Sequence, residues 1–167
     1  MDYLTEQNDR IQVFAGLIKS GFSPSILQIL GLGSCIGLCF YSKEEKFGAI
    51  AHIMLPSSKN ARTPDLKGKY ADSAVEELID VFKKKKIPKS KIRVKIVGGS
   101  SMFAQLKTNA FDIANRNIEA VKNHLQKHEL KVSGSDVGGN KGRTINFHLE
   151  TGEIKIYAAG GKLKKVL

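Results

Sequence analysis

The chain is poor in cysteine, and the spacing of the few cysteines indicates whether they form a disulfide. Its 167 residues include two cysteines, Cys35 and Cys39. If both lie on one strand, four residues apart, their Cα atoms are separated by about 13 Å, at roughly 3.3 Å per residue. A disulfide needs Cα atoms within about 7 Å, so we expect two free thiols in a reducing compartment.

Long apolar runs are also scarce. The longest stretch, Ile26 to Tyr41, contains Gln28 and three glycines, which makes it too short and too glycine-rich for a membrane span. The first ten residues, MDYLTEQNDR, lack the charged and then apolar regions of a signal peptide. We therefore expect a soluble, cytoplasmic protein that does not insert into a membrane.

Acidic residues are outnumbered by basic ones, 16 to 27, which gives a net charge of +11. A basic surface favours an acidic partner, whether nucleic acid, an anionic membrane or an acidic protein. Aromatic residues make up only 7% of the chain, and no nucleic-acid-binding motif accompanies the lysine run at 83–86. We interpret that run as the solvated end of a helix and expect no nucleic-acid partner.

Metal and cofactor motifs are missing as well. His124 and His128 have the i, i+4 spacing of helical metal ligands, but there is no HExxH motif and no evident third ligand. The glycine-containing stretch VGGSSMF (97–103) lacks the Walker and dinucleotide patterns. We expect neither a metal nor an organic cofactor.

Two glycine-rich stretches still have a possible role. The first, 97–103, is either a tight turn or the edge of a cleft at a strand end. In the second case Gly99, Ser100, Met102 and Phe103 are candidate substrate or partner contacts. The second stretch, DVGGNKGR (136–143), is interpreted as a flexible loop with cationic residues.

Apolar periodicity predicts about seven or eight strands and two helices. The helices are predicted over 69–86 and 111–128. The strands are predicted over 11–19, 25–30, 35–42, 46–56, 92–99 and 130–134, with a C-terminal hairpin over 143–159 that turns at Glu150–Glu153. Consecutive strands indicate mixed rather than purely parallel sheets. We predict an α/β domain with two main helices over residues 11–167, preceded by a flexible extension over 1–10.

The predicted strands over 35–42 and 46–56 are joined by the short polar stretch SKEEK and are expected to form a hairpin that contains both Cys35 and His52. If its centre lies between Glu44 and Glu45, residue 37 faces residue 52, and Cys35 and His52 are diagonal neighbours on one face. A two-residue shift makes them directly opposite, whereas a one-residue shift puts them on opposite faces. The sequence permits this pair without requiring it.

Such a pair suits acyl transfer, the hydrolysis of an amide, ester or thioester. An imidazolium stabilises a thiolate, and His52 can take a proton and return it to a leaving group. The GLGSC turn brings backbone N–H groups, those of Ser34 and Cys35, close enough to stabilise an oxyanion. The alternative is that both residues are core residues, which is our interpretation of Cys39.

Six motifs in a fixed order distinguish these alternatives. They are LGLGSC, AHIMLP, GKYAD, GGSSMF, DIANRNIEAV and GGNKGR followed by TGEI. Together they resemble the chemoreceptor glutamine deamidase family, CheD, from about Ile11 to the C-terminal hairpin. The single glycine pairs are unspecific, whereas the combined set is highly specific.

The resemblance implies a cysteine-dependent protein-glutamine deamidase. It implies an α/β sandwich similar to the catalytic domain of cytotoxic necrotizing factor, with Cys35 as nucleophile and His52 as base. The implied substrates are glutamine side chains on the cytoplasmic helices of methyl-accepting chemoreceptors. The family also binds CheC, a phosphatase of phosphorylated CheY.

One position departs from the family pattern. A threonine commonly stands six residues before the cysteine as the third member of the site, and here that position is Ile29. Ile29 has no hydroxyl group and would contribute through its backbone only. We expect a backbone carbonyl to orient His52 instead. The alternative is a weak or silent module that binds receptors or CheC.

Overall fold

The computed structural model describes residues 9–62, 66–102 and 109–167, and side chains in the last range from residue 113 onwards. Its architecture is a three-layer α/β sandwich of two mixed sheets and two α-helices, which confirms the predicted fold class. The first sheet has the order β1-β3-β8-β9-β10 and the second has the order β2-β5-β4-β6-β7. The strands are β1 (Arg10–Gln12), β2 (Ile18–Phe22), β3 (Ile26–Leu32), β4 (Ile36–Ser42), β5 (Phe47–Ile53), β6 (Arg93–Gly98), β7 (Val132–Val137), β8 (Arg143–His148), β9 (Ile154–Tyr157) and β10 (Leu163–Val166).

The second sheet is the middle layer, which explains why every residue of β4 and β5 is buried. Because side chains alternate along a strand, Ile36, Leu38 and Phe40 pack towards the helices. Cys39 and Tyr41 pack against the first sheet. Residues on the Cys39 face of β4 therefore point into the space between the two sheets.

Two helices cover the outer face of the second sheet, as predicted. They are α1 (Ala71–Lys84) and α2 (Asn109–Lys127). Their buried apolar residues recur at helical spacing and join one core with β4 and β5. No helix in the described part of the chain combines the length and apolarity needed to cross a membrane.

The prediction of a single strand over 11–19 is wrong. The chain leaves the first sheet after β1, turns through residues 13–17 and enters the second sheet as β2. Gly16 makes this turn with a φ of +82°, a left-handed conformation that favours glycine. A continuous apolar pattern concealed the break.

Two further predictions need correction. Strand β10, which pairs with β9, was not predicted, because its four residues are all exposed and show no apolar alternation. With the split of 11–19, it brings the strands of the described residues to ten. Residues 136–143 are also not simply a flexible loop, since they begin in β7 and end in β8.

The predicted N-terminal extension lies mostly outside the described residues, which begin at residue 9. Arg10 already pairs with Ile26 of β3, and the carbonyl of Asp9 accepts a hydrogen bond from the Ile26 N–H. A single domain from residue 11 stays a prediction.

Candidate active site

The pairing of β4 with β5 has the first of the three registers that the sequence left open, the one centred between Glu44 and Glu45. Gly37 lies opposite His52, and Ile36 lies opposite Ile53. Cys35 is the residue immediately before β4, so it and His52 are diagonal neighbours. Cys35 packs against the core between the sheets, and His52 alternates onto the same face as Ile50. The fold thus brings the thiol and the imidazole together at one end of this core.

The two cysteines have different surroundings. Both are free thiols, but Cys35 is partly exposed whereas Cys39 is buried. Burial raises the pKa of the Cys35 thiol above that of an ordinary cysteine, and complete burial raises the pKa of Cys39 much further. The interpretation of Cys39 as a core residue is confirmed. Only Cys35 is accessible enough to react.

His52 is held in one tautomer. Its side chain is 8% exposed, and Nδ1 lies 3.0 Å from the backbone carbonyl oxygen of Val13. A carbonyl only accepts hydrogen bonds, so Nδ1 carries the proton and Nε2 of the neutral ring is an acceptor. Nε2 is therefore the nitrogen that can receive a proton from a thiol.

Burial also lowers the pKa of His52, against a smaller opposing effect of the hydrogen bond to Val13. Since burial raises the pKa of Cys35, the resting pair at neutral pH is a neutral thiol beside a neutral imidazole. A neutral imidazole with Nε2 as acceptor is able to accept a proton from a thiol.

The segment of residues 13–17 fixes His52 through its backbone as well. The Gly16 N–H donates to the His52 carbonyl at 2.8 Å, and the His52 N–H donates to the Leu17 carbonyl at 3.0 Å. With the bond to Val13, three hydrogen bonds join this segment to one residue. The turn that the sequence concealed is therefore the turn that positions the imidazole.

Ile29 lies on the neighbouring sheet and does not supply the group that orients His52. Its side chain is fully buried in the core between the sheets, beside Gly37, the cross-strand partner of His52, and its backbone pairs with Ile145 of β8. The carbonyl that contacts Nδ1 belongs to Val13, not to Ile29. As expected, a backbone carbonyl accepts a hydrogen bond from His52, but Val13 is a residue that the sequence did not indicate.

Residues 33–35, which we call the nucleophile loop, pack against the glycine turn after β6. The Gly99 N–H donates to the Cys35 carbonyl at 2.9 Å, and the Ser100 N–H donates to the Gly33 carbonyl at 2.8 Å. At Gly98, where φ is +116°, a Cβ atom would lie 2.3 Å from the Cys35 carbonyl oxygen. Only glycine permits so close an approach.

The predicted contacts at 99–103 have separate outcomes. Gly99 and Ser100 are buried against the nucleophile loop, so their contacts in this structure are with the protein itself. Met102 is 50% exposed, and its methyl group lies beside Gly33. Phe103 lies outside the described residues. A role for any of them in binding substrate or partner stays a prediction.

Two backbone N–H groups of the nucleophile loop, those of Ser34 and Cys35, have no hydrogen-bond acceptor among the described residues. They adjoin the reactive sulfur and are the predicted oxyanion donors. Their use in that role stays a prediction, but the structure leaves them unoccupied by other described groups.

A buried ion pair joins the two sheets behind the glycine turn. Arg143 of β8 donates from Nη2 to Asp136 of β7 at 2.9 Å and to the Gly138 carbonyl at 2.8 Å. Its Nη1 lies 3.5 Å from the Gly98 carbonyl. The charged ends of the supposed loop 136–143 therefore brace the turn that contacts Cys35.

Sequence reasoning missed Asn117 of α2, which is fully buried. Its amide nitrogen donates to the carbonyls of Ser34 and Met54, each at 3.0 Å. A signal was present, because residue 117 is three positions after Ala114 and four before Val121, which places a polar group in the apolar stripe.

No metal centre is found in the part of the chain that the structure describes: no three His, Cys, Asp or Glu side chains come together there as a ligand set. His124, one of the two histidines with helical ligand spacing, borders an open surface groove together with Pro56 and Arg116.

Comparison with known proteins points to one family. The family model described as CheD chemotactic sensory transduction matches residues 54–158, a range that begins just after His52. "Chemoreceptor glutamine deamidase CheD" of Thermotoga maritima is 40% identical over 83% of this chain and 85% of its own length.

Two further relatives cover more of the chain. "Probable chemoreceptor glutamine deamidase CheD" of Syntrophomonas wolfei is 41% identical over 90% of this chain and 94% of its own length. A protein of the same name from Methanococcus maripaludis is 38% identical over 93% of this chain and 99% of its own length. The similarity is spread over almost the whole of each protein.

Proposed function

Because the chain belongs to the CheD family, we propose that it is a chemoreceptor glutamine deamidase that uses a cysteine nucleophile. It hydrolyses the carboxamide of receptor glutamines to a carboxylate and releases ammonia. The relatives carry the name of this activity. The dependence on cysteine rests on the geometry of the site.

The observation that carries the proposal is the placement of Cys35 beside a histidine with a defined acceptor. The β4–β5 register makes the two residues diagonal neighbours, and the Val13 carbonyl fixes the proton of His52 on Nδ1. Nucleophile, base and orienting group are the three parts that activate a cysteine for acyl transfer. Here the third part is a carbonyl of the backbone.

The first half-reaction forms a thioester. Nε2 of His52 takes the proton of the Cys35 thiol as the sulfur attacks the carboxamide carbon of the glutamine. The N–H groups of Ser34 and Cys35 stabilise the negative charge that develops on the carbonyl oxygen. His52 returns the proton to the departing nitrogen, the C–N bond breaks, and ammonia leaves.

The second half-reaction consumes water. His52 takes a proton from a water molecule that attacks the γ-glutamyl thioester, and the C–S bond breaks. The sulfur recovers its proton and the product is glutamate. In sum, one amide and one water give one carboxylate and one ammonium ion, so no redox partner or cofactor is needed.

The proposed activity sets the partners and the compartment. The substrate is the helical cytoplasmic part of methyl-accepting chemoreceptors, which places the protein in the cytoplasm. Phe14, which follows Val13 in the chain, and Met102, which lies beside Gly33, are exposed apolar residues, and they suit contact with a helical protein. Binding to CheC is a further prediction from the family.

Incubation of a chemoreceptor cytoplasmic fragment with the protein tests the proposal. We expect ammonia release in step with the conversion of particular glutamines to glutamates, located by peptide mass spectrometry. Binding of the fragment without release would instead favour a receptor-binding module with a silent site.

A further inference from the structure

Asn117 connects the helical layer to the backbone on both sides of the site. Its Nδ2 lies 3.0 Å from the Ser34 carbonyl oxygen, immediately before Cys35, and 3.0 Å from the Met54 carbonyl oxygen, two residues after His52. Both neighbours are acceptors, so the orientation of the amide is unambiguous. Asn117 therefore uses both N–H groups of its amide to bind backbone carbonyls, one next to Cys35 and one close to His52.

The two carbonyls that Asn117 binds lie just outside the strand ladder. The last paired positions are Ile36 with Ile53 and Gly37 with His52. Ladder hydrogen bonds therefore fix the cross-strand position of Cys35 and His52, but they do not reach the peptide bond between Ser34 and Cys35. The glycine turn holds the carbonyls of Gly33 and Cys35 on either side, and Asn117 holds the Ser34 carbonyl between them.

The Ser34–Cys35 peptide is the one that matters for the oxyanion. In a trans peptide the C=O and N–H bonds point in opposite directions. When Asn117 holds the Ser34 carbonyl towards α2, the Cys35 N–H is directed away from α2. That N–H donates to no described residue, so the hydrogen bond that acts on this peptide itself is the one from Asn117 to the Ser34 carbonyl. The peptides on either side are held by Ser100 and Gly99.

We propose that Asn117 is a positioning residue of the reaction, which fixes the Ser34–Cys35 peptide so that the Cys35 N–H points at the oxyanion. Asn117 does not contact the substrate and acts only through this peptide. The inference rests on the deamidase function proposed above, and it assigns to α2 a part in the chemistry in addition to its part in the core.

Replacement of Asn117 by leucine tests the inference. The apolar side chain has a similar size but donates no hydrogen bond, so the Ser34–Cys35 peptide loses its own hydrogen bond and is held only through its neighbours. We expect kcat for deamidation to fall by about 10-fold to 100-fold, within or below the effect of deleting an oxyanion donor outright. We expect KM to change little, because Asn117 does not contact the substrate.

A second readout separates positioning from general damage. The rate at which iodoacetamide alkylates Cys35 depends on the thiol and not on an oxyanion site, so Asn117→Leu should leave it near the wild-type rate. Loss of both kcat and alkylation in a folded protein would show that Asn117 maintains the whole site, and would overturn the specific role. Asn123→Leu is the matched control, since Asn123 is exposed on the same helix, and should change neither rate.

A third variant keeps the test decisive if leucine prevents folding. Asn117→Ser leaves room for water at the two carbonyls and should fold, with kcat reduced in the same direction. Folded Asn117 variants with wild-type kcat would refute the inference while leaving the deamidase intact. A wild-type protein that releases no ammonia would refute the proposed function instead.

Discussion

The chemistry of single residues centres on a pair that is neutral at rest. Burial raises the pKa of the Cys35 thiol and lowers the pKa of the His52 imidazole. Both shifts disfavour the charged form, as expected for groups at the end of an apolar core. In the proposed mechanism the thiolate therefore forms during attack, and at rest the sulfur is in the less nucleophilic thiol form.

This neutral pair predicts a particular pH dependence. Because the thiolate is the reactive form and the pKa of Cys35 is raised, the alkylation rate should increase about tenfold per pH unit between about pH 6 and pH 9. Iodoacetamide labelling of Cys35, followed by peptide mass spectrometry, measures this rate. A plateau that begins at acid pH would reveal a preformed thiolate–imidazolium pair and contradict the account.

A second expectation at this scale concerns Ile29. Because the Val13 carbonyl already accepts the hydrogen bond from Nδ1 of His52, a hydroxyl group at residue 29 is not needed to orient the imidazole. Ile29→Thr should leave kcat within about twofold and destabilise the protein by about 1–2 kcal/mol, through lost apolar contact and a buried hydroxyl. Deamidation assays and denaturant unfolding give the two values.

Ile145→Thr is the matched control for that variant. Ile145 is the cross-strand partner of Ile29 and is equally buried in the same core. The two substitutions should cost similar stability and leave activity unchanged. A severalfold gain in deamidation for Ile29→Thr alone would show that the site lacks a third side chain after all.

Among the elements, the two strands of the β4–β5 hairpin could be predicted from the sequence, whereas its register was one of three that the sequence left open. A polar SKEEK turn separates two apolar runs, and side-chain alternation then fixes which residues share a face. The segment 13–17 could not be predicted, because its role depends on a backbone carbonyl. Any residue supplies such a group, so the identity of Val13 carries no signal.

Helix α2 illustrates a signal that was present but easily passed over. A stripe of apolar residues predicted the helix and its buried face, and Asn117 lies within that stripe. A buried polar side chain costs free energy unless it is hydrogen-bonded, so its position indicates a partner. The partner itself, a peptide bond 83 residues earlier in the chain, follows only from the tertiary structure.

Strands β7 and β8 are joined by an ion pair whose stability contribution can be measured. The side chains of Arg143 and Asp136 are only 5% and 11% exposed. Loss of one partner from a buried pair leaves the other charge uncompensated, at a cost of about 3–5 kcal/mol. Arg143→Met should therefore lower the free energy of unfolding by about this amount in denaturant titrations.

An exposed ion pair provides the control for that measurement. Lys84 and Asp80 on α1 are 3.5 Å apart and largely exposed, so Lys84→Met should change stability by at most about 0.5 kcal/mol. The double variant Asp136→Leu, Arg143→Met should recover part of the loss, because no buried charge remains. Equal effects of Arg143→Met and Lys84→Met would contradict the bracing role of the buried pair.

At the scale of the whole molecule, the site is assembled where all three layers meet. The first sheet supplies Arg143, the second supplies His52 and leads into Cys35, and the helical layer supplies Asn117. Several family motifs, far apart in the chain, meet at the nucleophile loop: GGSSMF through Gly99 and Ser100, and DIANRNIEAV through Asn117. TGEI lies instead at the other end of β4, where Gly152 packs against Tyr41. The sequence shows the motifs by order and spacing, whereas which of them meet is a property of the fold.

The most direct test of the central claim is the Cys35 dependence of deamidation. A purified chemoreceptor cytoplasmic fragment is incubated with the wild-type protein, with Cys35→Ala and with Cys39→Ala, and glutamine-to-glutamate conversion is followed by peptide mass spectrometry. Cys39 lies on the same strand and face but is buried in the core, so its variant controls for the loss of a thiol. The account predicts conversion by wild type and Cys39→Ala and none by Cys35→Ala, whereas conversion that persists in Cys35→Ala would contradict it.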